Sequence, residues 1–411
     1  MRRILLAAST LALAAPAGAF ELTVLHINDF HSRIEPINKY DSTCSAEDDA
    51  AGVCFGGVAR LKTLLDARRD ALAAEGAPVL TLDAGDQFQG SLFYTTYKGE
   101  AAAEFMNAIG FDAMAVGNHE FDDGPGALAR FIDTVEVPVL SANTEIAAGT
   151  ELSGKVPGTM IVERGGERIG IVSVVAEDTA ETSSPGPTVI FAAAAETVRA
   201  AVAAFEAEGV TKVIALTHIG LPADIALAEA VSGIDLIVGG HSHTLLANAH
   251  DGALAPYPVM VESPDGAMTP IVQAYAYGKF LGEVTVTFDD AGNVVSAEGE
   301  PLLIDASVTP DPAIAARVAA LGAPIARMKT EVIGEAAAPI DGERTSCRAG
   351  ECAMGVLVTD AMLWESGADI AIQNGGGLRA SIDAGPVTMG EVLTVLPFQN
   401  TLATFRLWGA A

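Results

Sequence analysis

Short apolar runs recur along this chain, and a polar residue follows almost every one of them. Leu22-Thr23-Val24-Leu25-His26-Ile27 predicts a strand, as do the runs over 78–82, 112–116, 137–140, 212–216 and 234–238. Several of these runs are apolar at nearly every position, as expected of strands covered on both faces. Between them, 3.6-residue spacing predicts helices over 57–74, 99–109, 124–135, 191–208, 221–231 and 311–328. In the first of these helices Val58, Leu61, Leu64, Leu65 and Leu72 fall on roughly one face. The run over 161–175 reads as a hairpin around Gly165-Gly166, and Gly282 to Phe288 alternates as a strand. The turn Asp289-Asp290-Ala291-Gly292-Asn293 comes next. The Ala-rich helix over 311–328 then separates two bodies of sequence.

The residues just after the strands are chemically alike. Asp29, His31, Asp86, Asn118, His218, His241 and His243 each occupy such a position. Counting His119, five of the seven histidines in the chain do so. In an open α/β sheet, ligand sites form beyond the carboxyl ends of the strands. If these strands share one sheet, seven metal-compatible groups meet on one rim. Carboxylate, amide and imidazole are mixed, and seven donors exceed one tetrahedral zinc. That set suits two divalent ions about 3.5–4 Å apart with a shared carboxylate, and Asp86 is the candidate bridge. Zinc, manganese or a similar ion fits the donors. His26 lies inside its strand and reads as a core histidine, and His250 as a surface one.

The stretch Gly117-Asn118-His119-Glu120-Phe121-Asp122 joins this rim. Asp122 follows His119 by three residues, about a helical turn, where a carboxylate can bond the imidazole and fix its tautomer.

Composition narrows the setting. The chain has 411 residues, room for two domains, and a net charge of −30. Such acidity argues against a nucleic-acid polymer or an anionic membrane as the main partner. An anionic substrate then needs local positive charge, from metal ions or clustered Arg. Arg2 and Arg3 precede an apolar run over 4–15, and Ala17-Gly18-Ala19 fits small-residue cleavage. Residues 1–19 therefore read as a secretory signal, too short for a membrane span. A periplasmic or secreted protein starting near Phe20 is expected. The cysteines form two close pairs, Cys44 with Cys54 and Cys347 with Cys352. In an exported chain these read as disulfides, with thiolate zinc as the alternative.

Taken together, Asp29-Phe30-His31, Gly85-Asp86, Gly117-Asn118-His119-Glu120, Thr217-His218 and Gly240-His241-Ser242-His243 resemble the calcineurin-like metallophosphoesterases. Continued from Leu22 to Phe405, the chain resembles the exported 5′-nucleotidases, a family that includes UDP-sugar hydrolases. The resemblance implies an α/β fold. An N-terminal metallophosphoesterase β-sandwich flanked by helices would cover 20–305, a linker helix 306–329, and an incomplete α/β C-terminal 5′-nucleotidase domain 330–411. It also implies one metal held by Asp29, His31, Asp86 and His243. A second would be held by Asp86, Asn118, His218 and His241, with His119 and Asp122 as the catalytic pair.

In the second body, Arg344 and Arg348 flank Cys347, and Asn374-Gly375-Gly376-Gly377-Leu378-Arg379 combines an amide, an open backbone and an Arg. Arg forks grip phosphate, glycines admit close approach, and Phe398 can stack on a base. The resemblance implies phosphate contacts from Arg344, Arg348 and Arg379, and base contacts from Asn374 and Phe398. Gly376 and Gly377 would line the ligand. Two departures stand out. Val356 follows Gly355 where the family has Asn, and the family continues beyond Ala411 to supply a second aromatic for the base.

The expected reaction is metal-dependent hydrolysis of a nucleotide phosphate monoester by activated water. His119 would either stabilise the phosphoryl charge or protonate the leaving group. A 2′,3′-cyclic phosphodiesterase, a nucleotide pyrophosphatase and a sulfur-ester hydrolase are alternatives on the same scaffold. An exported nucleotide-binding protein serving a transporter is an alternative of another class. The helix over 311–328 is expected to act as a hinge.

Overall fold

The apolar runs become the parallel strands of two stacked sheets. These are seen in a computed structural model that describes residues 20–39, 41, 44–396 and 400–408, less the side chains of residues 46, 344 and 345. The signal segment 1–19, Phe398 and the Arg344 side chain lie outside the described residues.

In the first sheet, Phe20–Ile27, Val79–Asp83, Ala113–Ala115 and Val139–Leu140 run parallel in that order. Phe280–Phe288 pairs antiparallel on the other side of Phe20–Ile27, and Val294–Gly299 pairs with Phe280–Phe288. The second sheet sets Lys212–His218 between Glu167–Val175 and Leu236–Val238, all parallel, with Met268–Val272 parallel beyond. Antiparallel Thr159–Arg164 and Val259–Glu262 form its edges.

Strand alternation divides the core. Leu22, Val24, Leu80, Leu82, Ala113 and Ala115 face the second sheet and pack with Ile169, Ile171, Ile214 and Leu216. Leu25, Ile27, Met114 and Val116 join a second cluster with the helices Val58–Glu75, Gly99–Ile109 and Pro125–Thr134. Of the predicted face of the first helix, Val58, Leu61, Leu65 and Leu72 are buried, and Leu64 is only partly covered.

The metal-compatible residues follow strands of both sheets of the expected β-sandwich, and not of one shared sheet. Asp29, Asp86 and Asn118 come from the first sheet, and His218 and His241 from the second. The carboxyl ends of the two parallel sets meet, so that His218 reaches the backbone carbonyl of Ala84 at 2.7 Å.

The helix Pro312–Lys329 lies along the first body. Leu321 and Ile325 are buried, Tyr97 donates to the Leu321 carbonyl at 2.7 Å, and Arg317 forks onto Glu104. Beyond it, Val332–Ala336 pairs antiparallel with Gly385–Thr388 beside the helices Arg344–Ala349, Ala353–Ser366 and Met389–Val395. A separate small core of Ala336, Cys347, Met354, Leu378, Ile382 and Val395 holds this part together. Both cysteine pairs are disulfides, which removes the thiolate-zinc alternative.

Candidate metal centre and substrate cleft

The loop after Phe20–Ile27 is pinned to the loop after Val79–Asp83. Asp29 N–H donates to Gly85 O and His31 N–H to Asp86 O, each at 2.9 Å. Asp29, His31, Asp86, His241 and His243 all take positive φ, between 49° and 75°. Non-glycine residues rarely adopt that region, and each costs of order 1 kcal/mol that the surrounding contacts must offset. Gly117 shows how tight the joint is. A Cβ there would lie 2.2 Å from Asp86 Oδ1.

Glu120 clasps these loops. Its buried carboxylate accepts from Gly117 N, Asp86 N, Gln87 N and Phe88 N at 2.7–3.1 Å. Burial and the nearby Asp86 carboxylate push its pKa up to about 7.

The donor atoms converge. His218 Nε2 lies 3.1 Å from Asp86 Oδ2 and 3.9 Å from Asp29 Oδ1. His243 Nε2 is 3.2 Å from Asp29 Oδ1, and His31 Nε2 is 3.7 Å from Asp86 Oδ2. His241 Nδ1 meets Asn118 Oδ1 at 2.8 Å. Three groups each gather ligand atoms within 4.8 Å of one another: Asp29, His31 and His243; His31, Asp86 and His119; and Asp29, Asp86 and His218. Five of the seven sequence-predicted ligands fall in these groups, and His241 and Asn118, bonded to each other, line the same cavity.

The orientation of the rings suits a cation. His31 Nδ1–H donates to Phe88 O at 3.0 Å and His218 Nδ1–H to Ala84 O at 2.7 Å, which turns both Nε2 lone pairs inward. His31 Nε2 faces His243 Nε2 at 3.0 Å, and buried His218 Nε2 has no hydrogen-bond partner. Lone pairs and carboxylate oxygens directed at shared points are what a divalent ion requires. Burial holds His31 down to about 3, whereas Asp86 outweighs burial at His218 and pushes it up to about 10, so a proton on His218 Nε2 has to leave before that nitrogen can bind a cation.

His119 stands beside this cluster in the turn His119–Phe121. Its Nδ1–H bonds Asp122 Oδ2 at 2.7 Å, and Ser183 Oγ donates to Asp122 Oδ1 at 2.7 Å. Burial opposes its charge, yet Asp86 and Asp122 push its pKa up to about 9. His26 is buried with Nε2 on the Tyr257 hydroxyl at 2.8 Å, though its Nδ1 has no partner. His250 is exposed.

A cavity of about 420 Å³ opens over the cluster, lined by His31, Asp86, Asn118, His119, His241 and His243, with Asn400 and Thr401 on its rim. A second cavity of about 480 Å³ lies between the two bodies, and Arg33, Gly90 and Tyr277 line both. Among the predicted substrate residues that the structure describes, only Arg379 lines this cleft. Arg348 and Asn374 are exposed beside the turn Gly375–Gly377, which packs against Cys347, and they line neither cavity. Gly376 is half-buried and Gly377 buried in that turn.

Sequence reasoning missed Glu120, Ser183, Arg33 and Tyr277. Glu120 lay inside the singled-out stretch, but nothing in its spacing shows that its partners are main-chain donors from a distant loop. The other three carried no signal.

The comparisons with known proteins agree with this geometry. Residues 22–245 match the calcineurin-like phosphoesterase family model, and 327–411 match that of the 5′-nucleotidase C-terminal domain. A 5′-nucleotidase of Diplobatis ommata is 39% identical over 426 residues, spanning 99% of this chain and 71% of that protein. A snake venom 5′-nucleotidase of Naja atra is 37% identical, spanning 96% and 77%. The crystal structure of a 5′-nucleotidase precursor from Thermus thermophilus superposes with a TM-score of 0.79 at 40% identity, covering 93% of this chain and 75% of that one.

Proposed function

The chain belongs to the 5′-nucleotidase family of metal-dependent phosphate monoester hydrolases, and we propose that its reaction runs at the cluster around Asp86, on a nucleotide monophosphate. The family implies divalent metals. In our reading Asp29, His31, Asp86 and His243 hold one ion, and Asp86, Asn118, His218 and His241 hold another, zinc or manganese being suitable. Such ions, when bound, supply positive charge for the phosphate and acidify a water molecule.

The chain's own residues do the rest. His119 carries a proton at Nε2, because Asp122 occupies Nδ1–H and the raised pKa keeps the ring charged near neutrality. That proton faces the cavity, where it stabilises charge on the phosphoryl oxygens and can pass to the departing ribose oxygen. Water attacks phosphorus, the P–O bond to the ribose oxygen breaks, and inorganic phosphate and a nucleoside leave. The positively charged fork of Arg379 in the cleft grips phosphate oxygens on the substrate side.

The observation that carries this reading is the set of Asp and His donor atoms within 4.8 Å of one another beside the His119–Asp122 pair. The test is phosphate release from AMP with and without chelator. Release that stops with chelator and returns with zinc or manganese is expected, and chelator-insensitive release would overturn it. UDP-glucose and a 2′,3′-cyclic nucleotide, run in parallel, separate the neighbouring chemistries. We also place the mature protein outside the cytoplasm, in the periplasm or secreted. Two disulfides support this, and among the described residues no helix is long and apolar enough to cross a membrane.

A further inference from the structure

Gln273 is completely buried just past the strand Met268–Val272. Its side chain bonds one loop at Gly240, Ser242 and Thr244, and the residues between those points are His241 and His243. Oε1 accepts from the main-chain N–H of Thr244 and from Ser242 Oγ at 3.0 Å, and Nε2 donates to the Gly240 carbonyl at 3.0 Å. The main-chain partners fix which way round the amide lies, because an N–H only donates and a carbonyl only accepts. Both histidines hold positive φ, 75° at His241 and 52° at His243. That conformation costs energy, and surrounding contacts must offset it. The loop also has little room to shift, since a Cβ on Gly240 would lie 2.8 Å from Ala84 O and 2.9 Å from His218 Nδ1.

The residues after Gln273 reach the loop of the other sheet. Asn28 Oδ1 accepts from Ala274 N–H at 2.8 Å, and Tyr277 N–H donates to Asp29 O at 2.8 Å. Tyr275 N–H donates to Thr244 O at 3.0 Å, and His241 N–H to the Asp29 carboxylate at 3.0 Å. Residues 273–277 thus bracket the Asp29 loop of the first sheet and the His241–His243 loop of the second. Glu120 cannot serve the second loop, because its main-chain partners at Gly117, Asp86, Gln87 and Phe88 belong to the first sheet. In the reading above His241 serves one ion and His243 the other, so a side chain that fixes Ser242 between them fixes both. We propose that Gln273 is a positioning residue for the two-metal centre: it holds the His241-Ser242-His243 loop so that one imidazole meets each ion, and thereby sets the affinity for the metal pair. This inference rests on the metal-site reading above.

The test measures zinc binding, by competition with a chromophoric chelator, in wild type, Gln273→Met and Thr269→Val. Gln273→Met keeps the length of the side chain and loses its bonds to the loop. Losing a group that orients metal ligands costs about 10–100-fold in affinity, and the zinc dissociation constant should rise by that factor. Phosphate release from AMP should fall with it at limiting zinc and recover in excess zinc. Thr269 is the control for stability alone. It is buried near the other end of the same strand, and its hydroxyl donates to Ile234 O at 3.0 Å. Thr269→Val should lower the melting temperature and leave the zinc constant within about twofold. Where Gln273→Met does not fold, Ser242→Ala takes its place. It removes one of the three partners, and the constant should rise about threefold or more. An unchanged zinc constant in Gln273→Met, or in Ser242→Ala where that variant stands in, would overturn the proposal. A loss in Thr269→Val as large as that in Gln273→Met would overturn it too. Wild type that binds no zinc would overturn the metal-site reading instead.

Discussion

Glu120 holds four main-chain N–H groups on one carboxylate, three of them from the loop that carries Asp86. Gln at this position would keep one acceptor oxygen and turn an NH₂ group against N–H donors. We expect Glu120→Gln to lose roughly 2–4 kcal/mol of stability, read as a lowered urea midpoint. His119→Asn keeps the shape and removes the transferable proton. Turnover should fall by about 10²–10⁴ while bound metal, measured by elemental analysis, is unchanged, and near-normal turnover would refute its role. The contrast explains what was legible at this scale. His119 and Asp122 are three residues apart, and their partnership is readable from spacing alone. Glu120 acts on residues more than thirty positions away, through donors that every sequence possesses, and Ser183 reaches Asp122 from a loop sixty-one residues on.

Elements were legible wherever both faces of a strand are buried, because the run is then apolar throughout. The division into two sheets was legible only through the family resemblance, which implied a β-sandwich, and not from the apolar runs themselves. Continuous apolar runs say only that a strand is covered, and either a helix or a second sheet can cover it. The left-handed turns that aim Asp29 and His31 were also hidden, since no glycine marks them. The junction of Lys212–His218 with Leu236–Val238 offers a test of how these elements are tied. Val213 N–H donates to Asp235 Oδ2 at 2.7 Å, and Asp235 N–H donates to Val213 O at 2.9 Å. Burial pushes the Asp235 carboxyl up to about 7. With a folded pKa above the unfolded value of about 3.9, the native state binds more protons between the two. Stability from this group is therefore full below about pH 4 and is lost as pH rises through 7. Asp235→Asn keeps an acceptor for Val213 and cannot ionise. It should stabilise by roughly 1–3 kcal/mol at about pH 8 and by nothing near pH 4, measured by thermal melts across that range.

At the scale of the molecule, the expected hinge needs relocating. A helix that buries Leu321 and Ile325, receives the Tyr97 hydroxyl and holds Glu104 through Arg317 is tied to the first body, and its end also meets the helix Met389–Val395 of the second. Relative motion of the second body must then be taken up after it, between Lys329 and the strand Val332–Ala336. There, Met389 N–H bonds Glu331 O, and the Lys329–Glu35 pair that ties the helix end to the first body is half-exposed and weak. The sequence could not show this, because an Ala-rich helix between two bodies has the same pattern whether it spans solvent or lies against one of them. Crosslinking decides it. The native cysteines are bound in disulfides, so introduced thiols react alone among the described residues. Cysteines replacing Glu104 and Arg317, joined by a short bifunctional maleimide, should leave turnover within about twofold, since that contact stays closed throughout. Cysteines replacing Asn38 and Thr394, on opposite walls of the cleft, should cut turnover at least about tenfold when joined, and reversal by a cleavable linker should restore it. If the joined cleft turned over at the normal rate, substrate entry and product release would need no movement of the second body, and the linker would be a spacer only.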